Sequence, residues 1–341
     1  MRNRYYNLGA VDVLFDRLYL ESLDIGRLLQ LNFGRARSES YSQYLSQFVV
    51  YLRDLISAQQ AGNLQGINQN VQNLYDNIST RAAILAAMNP YWSEAEYKNL
   101  FGKYLQGLIA LANAYSSGNL EDATVIYGNL TEQTNRLGDA FAEGIYNYTT
   151  SGSSMSTDGP CITYEQMRAI QNVRMFWFDL MVWLRTYMVD KLLKLGNEEI
   201  VYNRVKKVIS DFTNELKRIY GDKYGNELEK YLYEYLDLVN DYMTAQMAGN
   251  KAEVNRIIPL LKQNTAIRAA LQASINPLLT EEEWNKSLYD FQVQGIIEQT
   301  ASILSGDIAR SLDIYIDLLN QAENISNYFA QTLFEYYTQK I

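Results

Sequence analysis

An internal repeat limits what this chain can fold into more than any other feature of its sequence. Displaced by 187 residues, Gly34 falls on Gly221, Tyr44 on Tyr231, and Ala61-Gly62-Asn63 on Ala248-Gly249-Asn250. Arg81-Ala82-Ala83 falls on Arg268-Ala269-Ala270, Asn89-Pro90 on Asn276-Pro277, and Glu94 and Glu96 on Glu281 and Glu283. One more residue of slip sets Gly118 on Gly306, Tyr127 on Tyr315, Leu130 on Leu318 and Gln133 on Gln321. Ordered matches at one period are the signature of a supersecondary unit written twice. The seam is TTSGSSMSTDGPC, Thr149 to Cys161, small and polar with Gly and Pro, a linker composition. The expected organisation is a first domain over 1–148, a flexible linker over 149–162 and a second domain over 163–341.

Each half reads as a run of helices. Only four prolines interrupt the chain, so long stretches keep their backbone donors. Ile308, Leu312, Tyr315, Leu319, Ala322, Phe329, Leu333 and Tyr336 recur at helical spacing and form one apolar face. Gly62, Gly249, Gly118 and Gly306 stand where left-handed residues end helices. These signals predict helices near 8–31, 36–61, 65–88, 94–116 and 120–148, then near 163–195, 198–219, 223–248, 251–275, 281–304 and 308–338. Short connections between long helices force antiparallel neighbours. The expected fold is all-α: two tandem up-and-down antiparallel bundles of four to six helices each. The second half has about two dozen extra residues between its first helix and Gly221.

Composition narrows the chemistry. Nearly half of the 341 residues are apolar, enough to bury a core. There is no histidine and one cysteine, Cys161. That excludes intramolecular disulfides, Cys/His zinc sites and imidazole-based triads, and it denies Cys161 an imidazole base. Carboxylate di-iron bundles also need histidine, no loop has calcium-ligand spacing, and Glu281-Glu282-Glu283 reads as first-turn acids at a helix dipole. No metal or cofactor is expected. A formal charge of −9 without a basic stripe argues against nucleic acid. No stretch of about 20 uncharged apolar residues is long enough to span a membrane, and the N-terminal sequence has no signal-like core. The cytoplasm is the default location, with spore or virion association left open.

On the helix Arg174–Asp190, Trp177 and Trp183 flank Asp179, with Arg185 beyond. An acid amid so much apolar surface needs a partner. Asp179 and Arg185 either face a small ligand in a polar pocket or belong to a structural pairing. Tyrosine is abundant, 28 residues, with clusters at Tyr231-Tyr233-Tyr235 and Tyr336-Tyr337. Rings spaced by two cannot share one helix face, so the clusters either feed an interface or replace Phe in the core.

The segments WFDLMVWLR (Trp177, Trp183, Arg185), RIYGDKYGNELEKY (Tyr220-Gly221) and Ala248-Gly249-Asn250, then the Asn-Pro turn and Glu281 to Trp284, carry a resemblance. The second half resembles a family of small helical-bundle proteins of Firmicutes often labelled acetylglutamate kinase, and NPYWSEAEY at Asn89 to Tyr97 extends the likeness to the first half. The resemblance implies a helical bundle. The kinase label does not carry over, because the chain has no glycine-rich strand-to-helix turn. The family places a histidine where this chain has Leu180. In the first half, Leu14, Leu20 and Ser22 stand where the second has Trp177, Trp183 and Arg185, and Asp16 where it has Asp179.

The repeated Asn-Pro motif reads as a hinge. Asn89 before Pro90, and Asn276 before Pro277, disfavour helix and end the preceding one. Ser93 with Glu96, and Thr280 with Glu283, form the spacing of a capping box. Together these features describe a non-enzymatic structural or protein-interaction protein, associating with itself as a homo-oligomer or with another protein. The alternative is a small-molecule-binding or enzymatic bundle using Trp177, Asp179, Trp183 and Arg185.

Overall fold

The computed structural model describes residues 1–151 and 163–339. Most of the expected linker, Cys161 included, lies outside the described residues. The chain divides into two compact units, Met1–Thr157 and Asp158–Ile341. Every helix and turn segment among the described residues fits the all-α expectation, and no strand occurs among them.

The first unit comprises α1 (Arg2–Tyr5), α2 (Val11–Phe33), α3 (Arg35–Gln60), α4 (Leu64–Met88), α5 (Glu94–Ser116) and α6 (Leu120–Thr150). The second comprises α7 (Tyr164–Leu192), α8 (Glu198–Tyr220), α9 (Asp222–Met247), α10 (Lys251–Ile275), α11 (Glu281–Tyr289), a π-helical turn (Asp290–Gln294), α12 (Gly295–Leu304) and α13 (Ile308–Gln339). The expected helices match to within three residues at each end. Neither α1, which packs on α5, nor the π-helical turn that interrupts the helix expected over 281–304 was anticipated.

Local chemistry sets the ends. Asn63, Asn119 and Asn250 each accept the backbone N–H three residues on, at 3.0, 3.2 and 3.2 Å, so one orphan donor is satisfied at each N-terminus. Gly34 and Gly221 are single-residue connections, at φ 79°, ψ 164° and φ 96°, ψ 160°. That region favours glycine, and it turns the chain sharply enough for α2 and α3, and α8 and α9, to fold back on each other. From α2 onward the connections run one, three, five and three residues; from α8 onward the series is the same.

The bounds of α2, α3 and α4 become those of α8, α9 and α10 on adding 187 at both ends. The expected match of the first helices is therefore corrected. The counterpart of α2 is α8, so Leu14 corresponds to Val201 and not to Trp177, and Asp16 has no relation to Asp179. The extra residues of the second half build a complete helix, α7, with no equivalent among the described residues of the first unit. The slip from 187 to 188 also has a structural place. It arises between α5, of 23 residues, and its 24-residue counterpart over 281–304, which contains the π-helical turn. An i→i+5 turn holds more residues than an α-turn, so one added residue is accommodated without rotating the rest of the helix.

In the first unit the core lies between sequence neighbours: Leu55, Leu74, Leu85, Tyr97 and Leu105 are buried where α3, α4 and α5 meet. In the second unit α7 inserts between α8 and α13. The Asn-Pro hinges do more than stop a helix. Asn89 is fully buried and extended, at φ −141° and ψ 119°. Its Oδ1 accepts from Tyr91 N at 3.0 Å, and its Nδ2 donates to the Gly144 carbonyl of α6 at 2.9 Å. Asn276 likewise accepts from Leu278 N and donates to the Tyr220 hydroxyl, at 3.1 and 3.4 Å. Ser93 caps α5 by accepting from Glu96 N at 3.4 Å. Thr280 departs from expectation: its side chain makes no cap bond to α11, and its backbone N–H donates to the Tyr328 hydroxyl at 3.3 Å. The hinge is held there by a tyrosine from α13.

Asn89→Ala removes the buried tie to α6 and leaves the Tyr91 turn N–H without its partner, and it is expected to cost about 2 kcal/mol. Thr280→Ala removes no cap bond and should change stability by less than about 0.5 kcal/mol. Urea unfolding followed by circular dichroism measures both, and equal losses for the two variants would contradict this reading.

Candidate functional site

Helix α7 begins with a capping box: Thr163 accepts from Gln166 N at 3.2 Å, and the Gln166 side chain accepts from Thr163 N at 2.8 Å. Its middle is buried on most sides; Val173, Phe176, Trp177, Leu180, Met181, Trp183, Leu184, Tyr187 and Met188 are all at most 3% exposed. Leu180, the position of the resembling family's histidine, is one of these packed core residues.

The four residues singled out on this helix do not converge. Trp177 lies in an aromatic cluster, edge-on to Phe176, Phe212, Trp284 and Phe291, with centroids 5.1 to 6.3 Å away. Arg185 turns towards α13. Its guanidinium donates to Ser311 Oγ at 2.8 Å and lies over the Tyr315 ring, 4.8 Å from the centroid. Asp179 and Trp183, four residues apart and so on one face, turn instead to α8. There Arg204 lies over the Trp183 ring at 5.0 Å and attracts the Asp179 carboxylate.

Arg204 supplies an attractive charge to Asp179, with no ion pair between the two. A sequence signal for it exists in hindsight: it is the basic residue set beside the apolar stripe Val201, Val205, Val208 and Phe212. The attraction does not compensate for burial. Desolvation pushes Asp179 up to about 6, with Asp211 acting in the same direction and Arg204 opposing. Two surface clefts lie elsewhere. One follows α9 past Glu229, Tyr233, Glu234 and Asp237, and the other lies between α2 and α3 around Gly26, Ser38 and Ser42. Neither is lined by α7.

A second constellation escaped the sequence reading. Arg81 on α4 is buried, its Nε donating to Asn77 Oδ1 at 2.9 Å while Asn77 Nδ2 donates to the Tyr44 carbonyl at 2.7 Å. Its guanidinium lies over Phe48 and Phe101, at 4.7 and 4.4 Å. Arg268 on α10 repeats the arrangement 187 positions on. Its Nε donates to Asn264 Oδ1 at 2.8 Å, Asn264 Nδ2 donates to the Tyr231 carbonyl at 3.0 Å, and Tyr235 takes the place of Phe48 at 4.9 Å. Burial lowers both guanidinium pKa values, that of Arg268 to about 10, which leaves Arg268 cationic at neutral pH. The signal was Asn-x-x-x-Arg, present at the same place in both halves.

The tyrosine clusters are mostly engaged within their own unit. Tyr235 is buried and donates to the Gln292 carbonyl at 2.8 Å, Tyr233 donates to Glu229 at 3.1 Å, and Tyr336 packs against Tyr220. No group of three or more metal-ligating side chains occurs among the described residues, and no helix among them is long and apolar enough to cross a membrane. Comparison with protein-family models, curated proteins and solved structures gives no match.

The raised Asp179 pKa has a definite sign. Where the folded state binds the proton more tightly than the unfolded chain, stability falls as pH rises from about 4 to about 6. The penalty is complete above that window and absent below it. Asp179→Asn should therefore stabilise the protein at pH 7, by about 2 kcal/mol, and by much less at pH 4. Urea midpoints of wild type and variant at the two pH values test this; a variant less stable than wild type at pH 7 would make Asp179–Arg204 a net favourable pair.

Proposed function

We propose that this is a non-enzymatic structural or protein-interaction protein, built from two bundles that arose by duplication and associating with other copies of itself. The observation that carries the reading is the surface of α2. Leu18, Leu20, Leu28 and Leu31 are 56, 57, 68 and 85% exposed, with Val13, Tyr19 and Ile25 exposed beside them. A concentration of large apolar side chains on one exposed helix, edged by charges, is the mark of an interaction surface. The matching connections, the two Asn-x-x-x-Arg ties and the single π-helical slip support duplication. The divergence of Trp177, Asp179, Trp183 and Arg185 onto separate neighbours argues against a shared ligand pocket. The resemblance to the Firmicutes family fits the second unit as a related bundle without its histidine, and a cytoplasmic location suits the charge and composition.

The test separates binding proteins from enzymes of small substrates. A ligand that binds only the folded state raises its apparent stability. Thermal-shift measurements with Mg-ATP, with N-acetylglutamate and with both together should leave Tm unchanged. A saturable rise of several degrees with any of them would overturn the non-enzymatic reading.

A further inference from the structure

The two buried arginines are not equally provided for. Arg81 has two aromatic faces over its guanidinium, Phe48 and Phe101, and the Tyr41 hydroxyl accepts a hydrogen bond from it. Tyr104 lies near enough to feel its charge. Arg268 keeps the asparagine tie and one ring, that of Tyr235. Its side chain is 1% exposed, yet no group among the described residues accepts from its Nη2.

The duplication shows what was exchanged. Displaced by 187, Tyr41 becomes Leu228 and Phe101 becomes Leu288. Tyr104 lies three residues before Gly107, and Gly107 corresponds to Gly295. A Cβ on either glycine would strike a leucine, Leu130 at 2.7 Å and Leu318 at 2.3 Å, and those leucines are themselves 188 apart. Counted back from Gly295, the counterpart of Tyr104 is Gln292. Each of these three exchanges puts a smaller side chain in place of a larger one, and two of them remove a phenol hydroxyl. The fourth, Phe48 to Tyr235, adds a hydroxyl, and that group is directed to the Gln292 carbonyl at 2.8 Å.

Gln292 is itself unusual. It is 1% exposed, and neither its amide oxygen nor its amide nitrogen has a hydrogen-bond partner among the described residues. It stands in the π-helical turn, a geometry frequent at functional sites. Tyr235 links it to the arginine, with the ring 4.9 Å from the Arg268 guanidinium and the hydroxyl on the Gln292 backbone. Buried polar groups are nearly always paired, so an unpaired set at one place calls for an occupant.

The chemistry of the set selects that occupant. Arg268 is cationic at neutral pH and no carboxylate lies near enough to shift it. A buried charge without a counter-charge is far costlier than a buried neutral dipole. Water satisfies the hydrogen bonds and leaves the charge uncompensated, whereas an anion answers both. The space is the difference between two tyrosines and a phenylalanine on one side and two leucines and a glutamine on the other, so the anion is small. One cation faces it, so it is monovalent.

We propose that the second unit binds a small monovalent anion, a halide or a one-carbon carboxylate, inside the bundle between Arg268 Nη2 and the Gln292 amide at the π-helical turn. Arg268 and Gln292 Nε2 donate to it, and the Tyr235 ring forms one wall. The first unit has no such site, because the Tyr41 hydroxyl and the rings of Phe48 and Phe101 serve Arg81 instead. The anion completes the core of the second unit and stabilises it by mass action.

Thermal unfolding of the full chain at fixed ionic strength tests this, with gluconate, an anion too large for such a site, exchanged stepwise for chloride, bromide or formate. Each of the three should raise Tm saturably by several degrees. Leu228→Tyr gives Arg268 the hydroxyl that Arg81 has and should abolish the response. Gln292→Leu removes a donor and should weaken the response at least tenfold. Crystals of the wild-type chain grown in bromide should give an anomalous peak within hydrogen-bond distance of Arg268 Nη2, a measurement that needs no variant to fold.

A Tm indifferent to the exchange of anions would overturn the proposal. So would a response unchanged in both variants, which belongs to ions on the surface. Bromide crystals with an ordered water at Arg268 Nη2 and no anomalous signal there would have the same consequence. No arm contains nucleotide or N-acetylglutamate, so this site and the non-enzymatic reading fail separately.

Discussion

Each unit is organised around an arginine withdrawn from water, with no carboxylate pairing it among the described residues. Burying a cation costs several kcal/mol even after local relaxation, so the surroundings of Arg81 and Arg268 are demanding. An asparagine one turn earlier accepts from Nε, aromatic faces cover the guanidinium plane, and the same asparagine reaches across to a backbone carbonyl on the preceding helix. A cation over an aromatic face gains about 0.5–2 kcal/mol, more when desolvated. The tie works only at one longitudinal register of α3 on α4, and of α9 on α10. Once that register is set, the Asn-Pro hinges follow eight residues after each arginine, and the last helix of each unit is brought back over the bundle.

The sequence made the helices legible because their ends are written in local chemistry. Asn63, Asn119, Asn250, Gly34 and Gly221 act within three residues of themselves, so a reader of the chain meets cause and effect together. What lies between distant helices was not legible in the same way. Apolar periodicity shows that α2 and α7 are each amphipathic or buried, but it does not say which one corresponds to which. Both open their halves, and order along the chain suggested pairing them. Geometry separates them: α2 and α8 have the same length and bounds 187 residues apart, and a one-residue connection follows each. Arg204 and the tie from Asn77 to Tyr44 were hidden for the same reason, since their partners lie more than twenty residues away. Thr280 shows the converse. Its spacing with Glu283 predicted a capping box, but its side chain makes no cap bond, and its backbone N–H donates to a tyrosine 48 residues on.

The two units share their frame and differ in how they close it. The second has one residue more over 281–304 than α5 has, accommodated at the π-helical turn, and it keeps Gln292, Gln299 and Thr300 buried on and after that turn. Around α7 it buries Trp177, Trp183, Trp284 and Phe329. The first has Trp92 as its only tryptophan, buried among Phe33, Tyr97 and Phe141.

That difference bears on why α2 has the composition it has. Burying a leucine side chain is worth about 1.5–3 kcal/mol relative to leaving it in water. Four exposed leucines on one helix therefore represent several kcal/mol that the first unit does not gain by folding alone. Scattered surface apolar residues need no explanation, but these share a helix whose counterpart carries lysine, glutamate and arginine at the same places. In the second unit α7 packs along α8, and the positions of α8 that match the outer leucines are charged; in the first unit α2 packs chiefly on α3, and its leucines stay exposed.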